Sequence, residues 1–145
     1  MASPDTIRVL ANWRALDQGV LGSAGPTNVY ANFKNAPLRN VWYSVALAEK
    51  IAGESLNGTN ADINCNFSSS INWYFGTDGN PPSGEFDLVS VILHELGHGL
   101  GFLAYKNVSS DGIGTLGFNN IFDVYSYHLA DASGGLLRDT TKGRE

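Results

Sequence analysis

Two histidines and a glutamate within five residues are the side chains of this sequence best placed to do chemistry. They lie in the stretch Leu93–Phe102, which reads L-H-E-L-G-H-G-L-G-F, and Glu95 directly follows His94, four residues before His98. On an α-helix, residues i and i+4 lie on one face, one turn apart. Both imidazoles can therefore reach one zinc ion at Zn–N distances of about 2.0–2.1 Å. We predict zinc binding by His94 and His98, with Glu95 as the general base toward a water polarised by the metal.

The surroundings of the motif favour a buried helix over the alternative, a surface helix that carries two solvated histidines. Apolar residues follow helical spacing; they are Val89, Ile92, Leu93, Leu96, Leu100 and Leu103. The two histidines fall outside this stripe and can line a cleft. Gly97, Gly99 and Gly101 each cost about 1 kcal/mol against alanine in a helix. We therefore expect close approach of another segment and a sharp chain turn at Gly101.

The composition is that of one lightly charged globular domain. The chain has 145 residues, of which 16% are charged and 43% hydrophobic, and we predict a single domain over 1–145. A net charge of −5 without a basic stripe argues against a nucleic-acid partner. No apolar run reaches the roughly 18 residues of a membrane span. The single cysteine, Cys65, is expected to be a small buried residue; pairing with a cysteine beyond Glu145 is the alternative.

The elements predicted to position the motif are strands interspersed with two helices. Strands are predicted over 6–16, 28–33, 61–67 and 71–75, and helices over 41–52 and from about 84 or 85 to 101–104. A loop or hairpin connection is predicted over 19–27 and an irregular loop over 106–120. Gly53 is expected to stop the first helix. These elements predict an α/β or α+β fold in which a sheet packs against two helices, one of them the motif helix. The 71–75 segment, if an edge strand, is the expected place for a peptide substrate to add as a further strand.

A third zinc ligand has to be found, because catalytic zinc normally has three protein ligands and one open position for water. In the pattern H-E-x-x-H-x-x-G-x-x-H the third histidine comes three residues after the glycine. Gly101 matches that glycine, but Ala104 stands where the histidine would be. The candidates within the chain are His128 and Asp123 and, behind them, Asp111 and Asp131.

The motif helix H-E-L-G-H-G-L-G-F resembles the active-site helix of leishmanolysin-like zinc peptidases, in which a long insertion precedes the third histidine. From about residue 28 onward the chain is also similar to a group of secreted bacterial zinc metalloproteases, in the motif and in Trp42–Ala48, Trp73–Pro82 and Phe122–Asp123. The resemblance implies a metzincin-type zinc endopeptidase with a zincin-like subdomain, a peptide or protein substrate and secretion. It also implies that the third histidine and a methionine turn lie beyond Glu145, since Met1 is the only methionine. The chain would then be the N-terminal part of a catalytic domain.

Two other interpretations stay open at this point. The chain could be a zinc-binding module without turnover, or an inactive part of a protease. It could also be a structural domain whose histidines bind no metal. A site with a third ligand and an open water position would favour the enzyme, and the sequence does not indicate an oligomeric state.

Overall fold

The computed structural model describes residues 6–103, 106–108, 110, 114–116, 122–130 and 134–136. This part of the chain is a mixed α+β fold, which confirms the predicted fold class of a mixed sheet with two helices. The helices are α1 (Val45–Ala52) and α2 (Leu88–Gly99), and Ser126–His128 form a 3₁₀ turn. The strands are β1 (Val9–Arg14), β2 (Gly22–Pro26), β3 (Val29–Tyr30), β4 (Val41–Ser44), β5 (Ile63–Ser68), β6 (Trp73–Tyr74), β7 (Phe86–Asp87), β8 (Lys106–Val108), β9 (Gly114–Leu116) and β10 (Phe122–Asp123).

The sheet that supports α2 has the strand order β1-β5-β2, with β1 parallel and β2 antiparallel to β5. Side chains alternate between the two faces of a strand, and Ile63, Cys65 and Phe67 of β5 are buried on one face. The partly buried residues packed against them are Ala24, Leu88, Val91, Ile92 and Leu96. The motif helix therefore packs on β5, the strand that the sequence predicts over 61–67, and on β2, whereas β1 pairs with β5 on the other side.

A second sheet, with the order β10-β4-β3, carries α1. Its core consists of Val41, Tyr43 and Ala48. Gly53 ends α1 in the left-handed conformation with φ +73°, and its N–H donates to the Glu49 carbonyl. The predicted role of Gly53 as the helix stop is confirmed.

The helix predicted over 41–52 is wrong in its first four residues, which form β4. Val41 and Tyr43 are 1% and 2% exposed, and Trp42 between them is half-buried. This alternation is that of a strand, and β-branched and aromatic residues favour strands. Pairing with β3 on one side and β10 on the other decides the outcome, because a helix would leave those two strands without a partner.

The loop predicted over 19–27 contains β2. Its five residues are small or apolar and carry few strand signals, yet they pair with β5 from Gly22 opposite Phe67 to Pro26 opposite Ile63. Proline and glycine are tolerated there because β2 is an edge strand. The irregular loop predicted over 106–120 is likewise wrong where the structure describes it, because β8 and β9 pair in antiparallel fashion.

The strand predicted over 71–75 is confirmed only as the two residues of β6. It pairs in parallel with β7, in a two-stranded sheet of its own. Cys65 is fully buried with a free thiol, as expected of a small core residue. In the part of the chain that the structure describes, no helix is long and apolar enough to cross a membrane.

Candidate metal centre

The motif helix begins at Leu88, later than the predicted start at 84 or 85. Phe86 pairs with Trp73, and Asp87 with Tyr74, before the helix starts. Asp87 is the N-cap: its Oδ2 accepts a hydrogen bond from the Ser90 N–H at 3.0 Å and another from the Ser90 hydroxyl. An acidic N-cap satisfies one of the free N–H groups of the first turn and complements the helix dipole.

The packed face of α2 differs from the predicted apolar stripe. Ile92 and Leu96 do pack on the core, but Leu93 is 66% exposed. The buried positions are instead Glu95 and Gly99. A Cβ at Gly99 would overlap Cγ2 of Ile63 and lie 2.9 Å from its Cδ1, so this glycine allows the helix to lie directly on β5. The expected close approach is confirmed at Gly99.

His94 and His98 converge on one point beside the helix. Their Nε2 atoms lie 3.0 Å apart, and the two rings are perpendicular with centroids 4.6 Å apart. Two nitrogens bound to one tetrahedral zinc ion at about 2.05 Å lie about 3.3 Å apart. The pair therefore needs only a small adjustment to bind a shared zinc ion, and both side chains fit the metal that the sequence predicts.

A backbone carbonyl sets the orientation and tautomer of His98. Nδ1 of His98 lies 2.9 Å from the carbonyl oxygen of Phe102. A carbonyl only accepts hydrogen bonds, so Nδ1 carries the proton and Nε2 presents its lone pair toward His94. Metal-ligating histidines characteristically have such a partner on their second nitrogen.

The turn that brings this carbonyl back to His98 is a Schellman motif. Gly101 has φ +102°, its N–H donates to the His98 carbonyl, and the Phe102 N–H donates to the Gly97 carbonyl, both at 2.9 Å. The sharp turn expected at Gly101 is confirmed, although α2 itself ends at Gly99. Gly97 has no neighbour within 4 Å of an added Cβ, so close approach does not account for it.

Glu95, which lines a cleft together with His94, is buried, and one of its oxygens has no hydrogen-bond partner among the residues that the structure describes. The residue is 7% exposed, and its Oε2 has no partner in the described part of the chain. Burying an unsatisfied acceptor costs about 1–3 kcal/mol, and more when the group is charged. Buried polar groups without a partner are few in native folds, and a catalytic role or a bound ion commonly accounts for them.

The pKa of the Cys65 thiol depends on its burial and on the nearby Glu95. Burial and, after it, the negative charge of Glu95 raise the pKa of the Cys65 thiol. Cys65 is a buried core residue of β5, in the cluster against which α2 packs.

A cleft of about 440 Å³ opens beside His94 and Glu95. One wall is formed by the residues that lead into β2 and by its first residue, and the other by the part of α2 from Ser90 to Glu95. The lining residues are Val20, Leu21, Gly22, Ser90, Val91, His94 and Glu95. The edge strand at the cleft is thus β2, and the 71–75 segment does not line it. Sequence reasoning missed β2 because a Gly-Ser-Ala-Gly-Pro run indicates a loop; its small side chains, which let a helix approach closely, were the available signal.

Two of the four internal candidates for a third ligand, Asp123 and His128, lie in the described part of the chain. Asp123 is 4% exposed, and its Oδ1 accepts hydrogen bonds from the N–H groups of Tyr125 and Ser126 at 3.1 and 2.9 Å. His128 is exposed, with its ring 5.3 Å from that of Tyr127. Within the described ranges, no three His, Cys, Asp or Glu side chains form a group that could hold a metal ion. Ala104, Asp111 and Asp131 lie outside the described residues.

A family model described as SPBPB7E8-like matches residues 19–113, about two thirds of the chain. The chain belongs to the SPBPB7E8-like family. The matched region includes β2, both helices and the three motif residues, and the family's description names no activity. No curated protein and no solved structure matches the chain.

Proposed function

We propose that this chain carries the active-site helix of a secreted zinc endopeptidase with a zincin-like arrangement, as the resemblance to metzincins implies. The observation that carries the proposal is the convergence of His94 Nε2 and His98 Nε2, 3.0 Å apart, on the helix that also carries the buried Glu95, which shares a cleft with His94. Two histidines with a correct spacing can occur by chance. Convergence of the two Nε2 atoms, with a carboxylate on the same helix, is what the chemistry requires.

His94 and His98 would hold the zinc ion through Nε2, and the Phe102 carbonyl would keep His98 in the ligating tautomer. A bound zinc ion supplies a Lewis acid that polarises a peptide carbonyl and lowers the pKa of water to about 7. Glu95 then takes a proton from the attacking water and returns it to the leaving amine, which is general base and general acid catalysis. Oε2 of Glu95 accepts no hydrogen bond in the described part of the chain, so its lone pairs are available for that proton.

The cleft beside Glu95 supports a peptide as the substrate. β2 forms its wall and is paired only on the β5 side within the described residues. Its other edge presents free backbone N–H and C=O groups, to which an extended peptide can add as an antiparallel or parallel strand. This assigns to β2 the role that the sequence suggests for 71–75.

The first test of the proposal is zinc content. We expect about one zinc ion per chain in the wild-type protein by elemental analysis, and loss of that ion in His98→Ala. His128, the histidine outside the motif, offers a matched control. Its ring contacts Tyr127, and His128→Ala should keep the zinc content of the wild type. A wild-type chain that binds no zinc even after addition of the metal would contradict the proposal.

The second test separates an enzyme from a zinc-binding module. Glu95→Gln keeps the size of the side chain and removes the base, so zinc content should stay at the wild-type value. Cleavage of a quenched-fluorescent peptide library should fall by about 10²–10⁴-fold. Zinc binding without cleavage by the wild-type chain would favour the non-catalytic module, and full cleavage by Glu95→Gln would exclude Glu95 as the base.

A further inference from the structure

Ser44 has an unusual hydrogen bond for its position in the chain. It is the N-cap of α1, with φ −57° and ψ 148°, where a serine side chain normally accepts a hydrogen bond from its own helix. Its hydroxyl makes no such bond. The Oγ of Ser44 instead donates to the carbonyl of Leu100, at 2.6 Å, and the residue is 5% exposed.

This hydrogen bond joins the start of α1 to the end of the motif helix. The last carbonyls of a helix lack partners within the helix, and Leu100 is the C-cap residue of α2. The donor for this carbonyl comes from a residue 56 positions away along the chain. The bond also connects the two cores, because Ser44 ends β4 and Leu100 follows the helix that packs on β5.

The next residue of the turn packs against the same serine. A Cβ added at Gly101 would lie 2.7 Å from Oγ and 2.9 Å from Cβ of Ser44. The turn thus makes one hydrogen bond to Ser44 and approaches it so closely that Gly101 has no room for a side chain. The ring of Phe102 also makes an edge contact with Tyr125, with centroids 5.2 Å apart.

The carbonyl that holds His98 belongs to this turn. Phe102 follows Gly101 directly, and its carbonyl accepts the hydrogen bond from Nδ1 of His98 at 2.9 Å. A shift of the turn relative to α2 would lengthen this bond. His98 would then lose both its fixed ring orientation and its preference for the tautomer with a free Nε2 lone pair.

We propose that Ser44 is a positioning residue for His98, which acts through the Leu100–Phe102 turn to hold the imidazole in the metal-ligating tautomer. The inference rests on the proposed zinc site, but it concerns a residue 50 positions before the motif. Ser44 does not itself contact the metal position. Its hydroxyl holds the backbone of the Leu100–Phe102 turn, and the Phe102 carbonyl of that turn orients His98.

The test uses the full chain with ¹⁵N-labelled histidine, in the metal-free form at alkaline pH. In the wild type we expect the ¹⁵N shifts of His98 to report the tautomer protonated on Nδ1. In Ser44→Ala we expect a mixture of both tautomers, and zinc affinity measured by competition with a chelator should fall about 10- to 100-fold. Ser55→Ala is the matched control, because it removes a serine hydroxyl that donates to Glu49 at 2.9 Å, at the far end of α1.

An unchanged His98 tautomer together with unchanged zinc affinity in Ser44→Ala would overturn the inference, as would equal losses in Ser55→Ala. If Ser44→Ala does not fold, Ser44→Cys under reducing conditions replaces it, since a thiol keeps the size of the side chain and is a weak donor. A wild-type tautomer and affinity in that variant would overturn the inference in the same way. The tautomer is read without metal or substrate, so it decides the role of Ser44 even if the chain proves to bind no zinc or cleave no peptide.

Discussion

Gly22 of β2 lies directly against the side chain of Glu95. A Cβ placed at Gly22 would lie 3.1 Å from both Cγ and Oε1 of Glu95, and 3.2 Å from the carbonyl oxygen of Asn66. The backbone oxygen has little freedom to move, so the carboxylate has to give way. The absence of a side chain at Gly22 is therefore part of how Glu95 occupies its buried position.

We predict that Gly22→Ala displaces Glu95 and lowers peptide cleavage about 10- to 100-fold, since a misplacement near 1 Å costs up to about 10²-fold. Gly25→Ala on the same strand is the control, because nothing lies within 4 Å of its added Cβ. Steady-state kinetics of both variants, with zinc content measured in parallel, test the prediction. Equal activity in the two variants would show that the contact at Gly22 does not position the base.

Alanine substitutions at Gly97 and Gly99 of the motif helix are expected to change the free energy of unfolding in opposite directions. Gly99→Ala should destabilise the fold by about 1–3 kcal/mol, because the new methyl group collides with Ile63 in a packed core. Gly97→Ala should stabilise it by up to about 1 kcal/mol, since that position is open and alanine is the better helix former. Urea unfolding of both variants measures the two changes. A destabilised Gly97→Ala, or a neutral Gly99→Ala, would contradict the packing described for α2.

The N-cap of the motif helix should contribute measurably to stability. Asp87→Ala removes the acceptor for the Ser90 N–H and hydroxyl, and we expect a loss of about 0.5–2 kcal/mol in the free energy of unfolding. Asp87→Asn retains a good N-cap oxygen and should lose less. Thermal unfolding of the two variants compares them, and equal losses would mean that the charge of Asp87, and not its capping geometry, is what counts.

Cys65 should make the fold less stable at alkaline pH. Its pKa is raised in the folded state, so the folded protein keeps the thiol proton at pH values where the unfolded chain has lost it. The contribution of the protonated thiol to the free energy of unfolding is fully present below the ordinary thiol pKa of about 9. It is lost as the pH rises toward the higher pKa of the folded state. The free energy of unfolding should therefore fall less steeply above pH 9 in Cys65→Ala than in the wild type. Urea titrations at pH 8, 9 and 10 measure both slopes, and parallel slopes would refute the linkage.

The local chemistry of the motif could be predicted from the sequence. The spacing of His94 and His98 places them on one helical face whatever surrounds the helix, and the left-handed turn at Gly101 follows from the properties of glycine. The strands over 6–16 and 61–67 could be predicted from their alternation of apolar and polar residues, and the helix stop at Gly53 from the properties of glycine. The assignment of 1–145 to one domain, the zinc cofactor and the peptidase activity stay predictions.

Tertiary structure decided which face of the helix is buried and what lies beside it. The predicted stripe counted Leu93 as a core residue, but the packing of α2 on β5 and β2 exposes Leu93 and buries Glu95. Residues 41–44 form a strand in place of the predicted helix because they pair with β3 and β10. The hydrogen bond between Ser44 and Leu100 joins residues 56 positions apart. Helical spacing is a property of neighbouring residues, whereas strand pairing and the partners of a helix face depend on residues far away in the chain. For this reason the two histidines could be recognised from sequence, and the buried setting of Glu95 and the role of Ser44 could not.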